Sequence, residues 1–153
     1  MNGGVRILLV EDNPQDVELA LYAFSRHNLA NHVQVVRDGA EALDFLFRRG
    51  EFASRDLASD PQVILLDLKL PKVDGIDVLR AIKGDANLHT IPVVVLTSSN
   101  QDVDLVATYD LGVNSYIVKP VDFDQFTAAV QTLGLYWLLL NKTPDHVVVA
   151  ANP

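Results

Sequence analysis

The stretch Val63-Ile64-Leu65-Leu66-Asp67 is a short apolar run, rich in branched side chains, that ends on a carboxylate. An apolar run of this length without polar alternation is typical of a strand buried on both faces of a parallel sheet. Similar runs lie at residues 7–10, 33–36, 93–96 and 116–118. The run at 33–36 contains Gln34 and is the most polar, so we expect this strand near an edge of the sheet.

Helical patterns fill the intervals between these runs. Asn13-Pro14 combines an N-cap residue with proline at the first helical position. Asp122 followed by Gln125 resembles a capping box, which is another helix start. Strand and helix therefore alternate five times, which predicts an α/β fold with a doubly wound parallel sheet and helices on both faces. The helical patterns lie at residues 13–24, 42–47, 76–82, 101–111 and 122–137.

The length of 153 residues predicts one domain. We assign the domain to residues 1–141 and a C-terminal tail to residues 142–153. Residues 49–61 are rich in charge, serine and alanine, and we interpret them as a mobile surface loop.

The composition excludes several classes of protein. Lys and Arg number 12 against 20 Asp and Glu, a net charge of −8, which argues against binding to nucleic acid or anionic lipid. The absence of cysteine excludes disulfides, a thiol nucleophile and a cysteine metal site. Neither a signal peptide nor an apolar run of the ~20 residues that span a membrane is recognisable. We therefore expect a cytoplasmic protein.

Chemically active residues stand at the ends of four of the apolar runs. Asp67 ends the central run, Glu11 and Asp12 follow the first, Thr97 follows the fourth, and Lys119 follows the fifth. Ligands of open α/β sheets bind beyond the carboxyl ends of the strands. Any one of these residues alone would be explained as a helix cap or a surface residue, but their common position in the topology predicts a site.

The residue types in this set indicate phosphoryl chemistry. Three converging carboxylates repel one another unless a cation offsets their charge, and Mg²⁺ prefers such oxygen ligands. A metal, an ammonium and a hydroxyl together can stabilise a transferring phosphoryl group. A carboxylate can attack phosphorus to give an aspartyl phosphate, and Asp67 is the natural candidate for this nucleophile.

These residues also form motifs. Glu11-Asp12, Leu66-Asp67 followed by Pro71 and Asp74-Gly75, Leu96-Thr97-Ser98, and Tyr116 with Lys119-Pro120 resemble the receiver domain of two-component response regulators. The resemblance extends from about residue 6 to residue 141. It implies a flavodoxin-like (βα)5 fold with strand order 2-1-3-4-5. It also implies a phosphorelay protein whose Asp67 accepts a phosphoryl group from a sensor histidine kinase, and which catalyses only its own phosphorylation and dephosphorylation.

The resemblance implies a metal site and a phosphoryl clamp. Glu11, Asp12, Asp67 and the backbone carbonyl of Lys69 would hold Mg²⁺, with Mn²⁺ as the alternative ion. Lys119 would pair with the phosphoryl oxygens, and its peptide bond to the following proline is expected to be cis.

Further positions are implied to act in switching and in timing. Thr97 and Tyr116 would form the switch pair, although an aromatic residue in a strand can also be simple core. Lys69 and Ser99 would tune the rate of dephosphorylation.

The output of such a chain is expected to be protein–protein contact, because the sequence contains no effector domain. Leu135, Tyr136, Trp137 and Leu138 belong to an apolar segment too continuous to face one core on a helix. Some of these side chains should form an exposed interface, although the tail at 147–149 is an alternative cover.

Residues 109–116 and the Tyr136-Trp137 pair are similar to response regulators that partner phytochrome-type histidine kinases. That similarity implies a homodimer through the face of the fourth predicted helix, the fifth strand and the fifth predicted helix, together with the C-terminal region.

Three alternatives compete with the receiver interpretation. A haloacid-dehalogenase-type hydrolase would need a second Asp where Lys69 stands, and would carry its paired acids late in the chain. An interaction module without phosphorylation would be expected to lack an acidic residue or Lys119. A dinucleotide-binding protein would need a G-x-G-x-x-G motif after the first strand, and none is present.

Overall fold

The computed structural model describes residues 5–56, 59–98, 111–113 and 115–132. Short 3₁₀ turns at Ala30–His32 and Gly50–Phe52 join the regular elements. The strands are β1 (Ile7–Val10), β2 (Val33–Val36), β3 (Val63–Asp67), β4 (Val93–Thr97) and β5 (Ser115–Val118). The helices are α1 (Pro14–Ser25), α2 (Gly39–Leu46), α3 (Gly75–Lys83) and α4 (Phe123–Thr132), the last lying within the fifth predicted helix.

The five strands form one parallel sheet in the order β2-β1-β3-β4-β5. This order confirms the predicted doubly wound topology and the placement of β2 at an edge. Val10 of β1 is paired with Leu66 of β3, so the residues that follow them, Glu11 and Asp67, emerge side by side. Thr97 of β4 is paired with Val118 of β5. The register therefore aligns the carboxyl ends of four strands at one rim.

The hydrophobic core lies on both faces of the sheet because alternate strand residues point in opposite directions. Leu8 and Val10 belong to the cluster that packs against α2 and α3. Ile7 and Leu9 belong to the cluster that packs against α1 and α4, where the rings of Phe24 and Phe126 meet edge to face. Because helices cover both faces of the sheet, polar side chains of the strands can reach solvent or a ligand mainly at the strand ends.

The helix starts follow the sequence signals, with one difference. Asn13 caps α1 by accepting hydrogen bonds from the N–H groups of Gln15 and Asp16. Asp122 accepts a hydrogen bond from the N–H of Gln125 at 2.8 Å, as the predicted capping box requires. The Gln125 side chain does not complete that box, because its amide is bonded to β5 instead.

The segment at residues 49–61, predicted as a mobile surface loop, contains a 3₁₀ turn at Gly50–Phe52 and a set of contacts around Arg55. The Arg55 guanidinium donates hydrogen bonds to the C=O groups of Phe45 and Leu46 and pairs with Asp60 at 3.0 Å. The two carbonyls are among those that the C-terminal turn of a helix leaves without intrahelical partners. Arg55 therefore anchors this segment to the end of α2.

Some predicted features lie outside the described residues. These are residues 101–110 of the fourth predicted helix, the end of the fifth predicted helix, and the tail at 142–153. Among the described residues, no helix has the length and apolar character that crossing a bilayer requires.

The first prediction concerns Gly75, at the start of α3. A methyl group here would overlap the Leu68 Cα and the carbonyl oxygens of Asp67 and Leu68, which are backbone atoms that cannot rotate away. We expect Gly75→Ala to lower the free energy of unfolding by about 1–3 kcal/mol, as overpacking does. Urea denaturation measures this change.

Gly84→Ala is the matched control because Gly84 has an ordinary φ of −87° at the end of the same helix. Its effect should stay within about 1 kcal/mol. Equal effects of the two substitutions would contradict the steric explanation.

Candidate functional site

The aligned strand ends form a cleft of about 320 Å³. Glu11, Asp67 and Thr97 are buried in its floor, with 1%, 5% and 3% of their surfaces exposed. Buried polar groups at strand ends are unusual unless they are paired or functional. The cleft is lined by residues 11–14, 67–69 and 96–98 and by Lys119.

The ammonium group of Lys119 is the electrostatic centre of the cleft. Its Nζ lies 2.9 Å from Asp67 Oδ2, 3.1 Å from Glu11 Oε1 and 3.2 Å from Asp16 Oδ2. The Lys119 side chain is only 15% exposed, so solvent screens these contacts weakly. The peptide bond between Lys119 and Pro120 is cis, as the resemblance implies.

The carboxylates and the ammonium shift one another's ionisation. Burial and the charge of Asp67 raise the pKa of the Glu11 carboxyl from 4.5 to about 7, although the Asn13 N–H and Lys119 act in the opposite direction. Burial lowers the pKa of the Lys119 ammonium, but the hydrogen bond and charge of Asp67, followed by those of Glu11, outweigh burial and raise it above its ordinary value. Lys119 therefore stays charged at neutral pH.

Asp12 is the third member of the acidic group and, unlike Glu11 and Asp67, it is exposed to solvent. It is exposed at the rim, and one carboxylate oxygen from each of Glu11, Asp12 and Asp67 lies within 4.8 Å of the others. Oxygen donors at this spacing fit the ligand preference of Mg²⁺ or Mn²⁺. The residues present therefore suit a divalent cation.

The remaining predicted site residues are placed as follows. The N–H of Lys69 donates a hydrogen bond to Asp67 Oδ1 at 3.1 Å, which fixes the carboxylate orientation. Tyr116 is 36% exposed at the edge strand, so the alternative that it is plain core is wrong. Ser99 and the predicted interface residues 135–138 lie outside the described residues.

Asp16 is a site residue that the sequence reasoning missed. It lies in the first turn of α1, where the Asn13 cap directs the chain across the rim toward Lys119. The available signal was the Asn13-Pro14 helix start, which places residue 16 one turn into α1 on the side of the strand ends. Asp16 adds a third carboxylate to the contacts of Lys119.

Comparison with known proteins identifies this constellation. The family model of the response regulator receiver domain matches residues 7–131. The chain belongs to the response regulator receiver family. It is also 46% identical over 138 residues to the probable methanogenesis regulatory protein FilR2 of Methanothrix harundinacea, covering 90% of this chain and 86% of FilR2.

Solved receiver structures share the fold and extend the relationship. The bacteriophytochrome response regulator AtBRR is 57% identical with a TM-score of 0.80, covering 90% of this chain and 99% of AtBRR. The Mn²⁺-bound form of the response regulator Rcp1 is 37% identical with a TM-score of 0.70, covering 91% of this chain and 96% of Rcp1. The chain is thus related to the phytochrome response regulators.

The second prediction follows from the raised pKa of Glu11. In metal-free protein the folded state keeps the Glu11 proton between pH 4.5 and about 7, where the unfolded chain releases it. The stability that this proton contributes is present below pH 4.5 and is lost as the pH rises to about 7. Relative to Glu11→Gln, which cannot titrate, the unsubstituted protein should lose about 1–3 kcal/mol across this interval.

Urea denaturation in EDTA at several pH values measures the difference. Glu18→Gln, on the exposed face of α1, is the control and should keep the unsubstituted pH profile. Parallel profiles for Glu11→Gln and the unsubstituted protein would contradict the assignment.

Proposed function

We propose that this protein is the phosphoacceptor of a two-component phosphorelay. Asp67 accepts a phosphoryl group from a phosphohistidine of a sensor histidine kinase, and the phosphorylated domain signals through protein–protein contacts. The observation that carries the proposal is the position of Asp67. Its carboxylate is nearly buried at the end of β3 and lies 2.9 Å from a charged lysine in an acidic cleft.

The proposed reaction is a single transfer. A carboxylate oxygen of Asp67 forms a bond to phosphorus while the P–N bond of phosphohistidine breaks, and the electron pair of that bond leaves with the imidazole nitrogen, which takes up a proton. Such transfers depend mainly on positioning and on neutralising charge. The hydrogen bond from the Lys69 N–H orients the attacking carboxylate.

Two further side chains act on the phosphoryl group in this proposal. Lys119 turns from its carboxylate partners to the phosphoryl oxygens, which carry more negative charge than the carboxylate they replace. Thr97, at the end of β4, offers its hydroxyl to the same oxygens, and Tyr116 responds as the second member of the switch pair. Lys69 and Ser99 are proposed to tune the lifetime of the phosphoryl group.

Glu11, Asp12, Asp67 and the backbone carbonyl of Lys69 are proposed to hold Mg²⁺. The support is the spacing of the three carboxylates and the fact that the similar protein Rcp1 has a Mn²⁺-bound form. When bound, the ion supplies positive charge that offsets both the carboxylates and the phosphoryl oxygens.

A phytochrome-type histidine kinase is the proposed phosphodonor. The support is the 57% identity with a bacteriophytochrome response regulator. Parallel phosphotransfer from several purified histidine kinases tests the choice. Equal or faster transfer from kinases without a phytochrome sensor would contradict it.

The third prediction tests the phosphoacceptor. With acetyl phosphate and Mg²⁺, the protein should gain one phosphoryl group that is stable to acid and released by base, and Asp67→Asn should reduce labelling to background because the nucleophile is lost. Intact-mass spectrometry measures the labelling. EDTA should abolish it and added Mg²⁺ should restore it.

Asp77→Asn, an exposed carboxylate on α3, is the control and should label normally. The proposal fails if Asp67→Asn labels as strongly as the unsubstituted protein. Turnover of a general phosphomonoester would favour the hydrolase alternative instead.

A homodimer through β5, the neighbouring predicted helices and the C-terminal region is the proposed assembly. Among the described residues the support is Tyr116, which is exposed on β5 beside a groove lined by Ala128 and Thr132 of α4. The proposal also assigns residues 135–138 to the interface, and its support there is their continuous apolar sequence.

The fourth prediction tests the dimer by analytical ultracentrifugation with and without beryllofluoride. Trp137→Asp should weaken dimerisation at least about tenfold, because loss of an aromatic anchor from an interface has effects of this size. Tyr22→Asp, which alters an exposed aromatic side chain on α1, is the control and should leave the dimer intact. A monomer under every condition would contradict the assembly.

A further inference from the structure

Gln125 uses both ends of its side-chain amide to hold the last residue of β5. Its Oε1 accepts a hydrogen bond from the N–H of Val118 at 3.2 Å, and its Nε2 donates to the C=O of the same residue at 3.1 Å. Nε2 also lies 3.3 Å from the C=O of Pro120. These groups flank Lys119 in the chain, so one partly buried side chain grips the backbone on either side of that lysine.

The position of β5 explains why these contacts matter. In the described sheet β5 is an edge strand, with β4 on one side only. On the β4 side, the N–H of Lys119 donates to the C=O of Thr97 at 2.8 Å. On the open side, the Gln125 amide bonds Val118 as a neighbouring strand would. The backbone that carries Lys119 is therefore fixed from two directions.

Helix capping does not account for the Gln125 side chain. The start of α4 is capped by the Asp122 carboxylate, which accepts a hydrogen bond from the backbone N–H of Gln125. A side chain that completed a capping box would bond the backbone N–H of Asp122. Nε2 does lie 3.3 Å from Asp122 Oδ2, but its contacts with Val118 and Pro120 face the strand end.

We propose that Gln125 is a positioning residue for Lys119, an inference that rests on the proposed function. Nζ of Lys119 serves the phosphoryl group only if it reaches that group from the correct place, and small displacements of a reacting group cost much of its effect. Gln125 is not among the described residues that line the acidic cleft. It acts through the backbone that carries Lys119.

The fifth prediction uses Gln125→Met, which keeps the side-chain length and removes both hydrogen-bonding groups. We expect beryllofluoride binding and the rate of labelling by acetyl phosphate each to fall about fivefold, consistent with the loss of hydrogen bonds that position one cation. The Kd for Mg²⁺ should change less than about twofold, because the three acidic metal residues stand on other elements. Thr127→Ala removes one hydrogen bond within the same helix and should change none of these values.

A double-mutant cycle distinguishes positioning from general destabilisation. In a Lys119→Ala background, Gln125→Met should have no further effect on beryllofluoride binding, because its target is gone. The same fivefold loss in both backgrounds, or an equal loss of Mg²⁺ affinity, would overturn the proposal.

Amide hydrogen exchange in metal-free protein separates this inference from the proposed function. Gln125→Met should speed exchange at Val118 and Lys119 about tenfold and leave Ile117, deeper in β5, unchanged. Absence of labelling in the unsubstituted protein would defeat the proposed function, while the exchange rates would still decide whether Gln125 fixes Lys119. Normal labelling together with unchanged exchange in Gln125→Met would defeat the positioning role alone.

Discussion

The contact between the Lys119 ammonium and the carboxylates around it is the interaction on which the site depends. Glu11 and Asp67 are buried at adjacent strand ends, where two uncompensated negative charges would be strongly unfavourable. Lys119 offsets both, and Asp16 adds a third carboxylate from α1. The sheet order is what makes this possible, because β5 delivers the cation from one side while β1 and β3 deliver the acids from the other.

In this arrangement the negative charge of the carboxylates exceeds the positive charge that Lys119 supplies. One ammonium faces three carboxylates, and burial together with the charge of Asp67 raises the pKa of Glu11. A divalent cation at Glu11, Asp12 and Asp67 would supply the missing positive charge and would release Lys119 from part of its task. The charge of such an ion and the charge of Lys119 would therefore be complementary.

The sequence predicted the strand-end residues and missed the helix and loop residues for a physical reason. Asp67, Thr97 and Lys119 could be placed from chain topology, because the backbone of a parallel sheet brings the carboxyl ends of its strands to one edge regardless of side-chain conformation. Asp16 and Gln125 could not, because their roles depend on helix phase and on which backbone groups an edge strand leaves open.

Arg55 was missed for a related reason. Its partners are backbone carbonyls at the end of α2, ten and nine residues earlier in the chain. A local composition rich in charge and serine does not predict such contacts. The family motifs identified the residues that line the cleft, but the contacts that hold the surrounding backbone required coordinates.

The grip of Gln125 on Val118 also bears on how copies of the chain can associate. In a parallel strand, the N–H and C=O of alternate residues point outward, and an open edge can recruit an additional strand through them. The amide of Gln125 already occupies both outward groups of Val118. Ladder extension at the cleft end of β5 is thereby blocked, because a strand that approached Val118 would find both of its outward hydrogen-bonding groups already bonded.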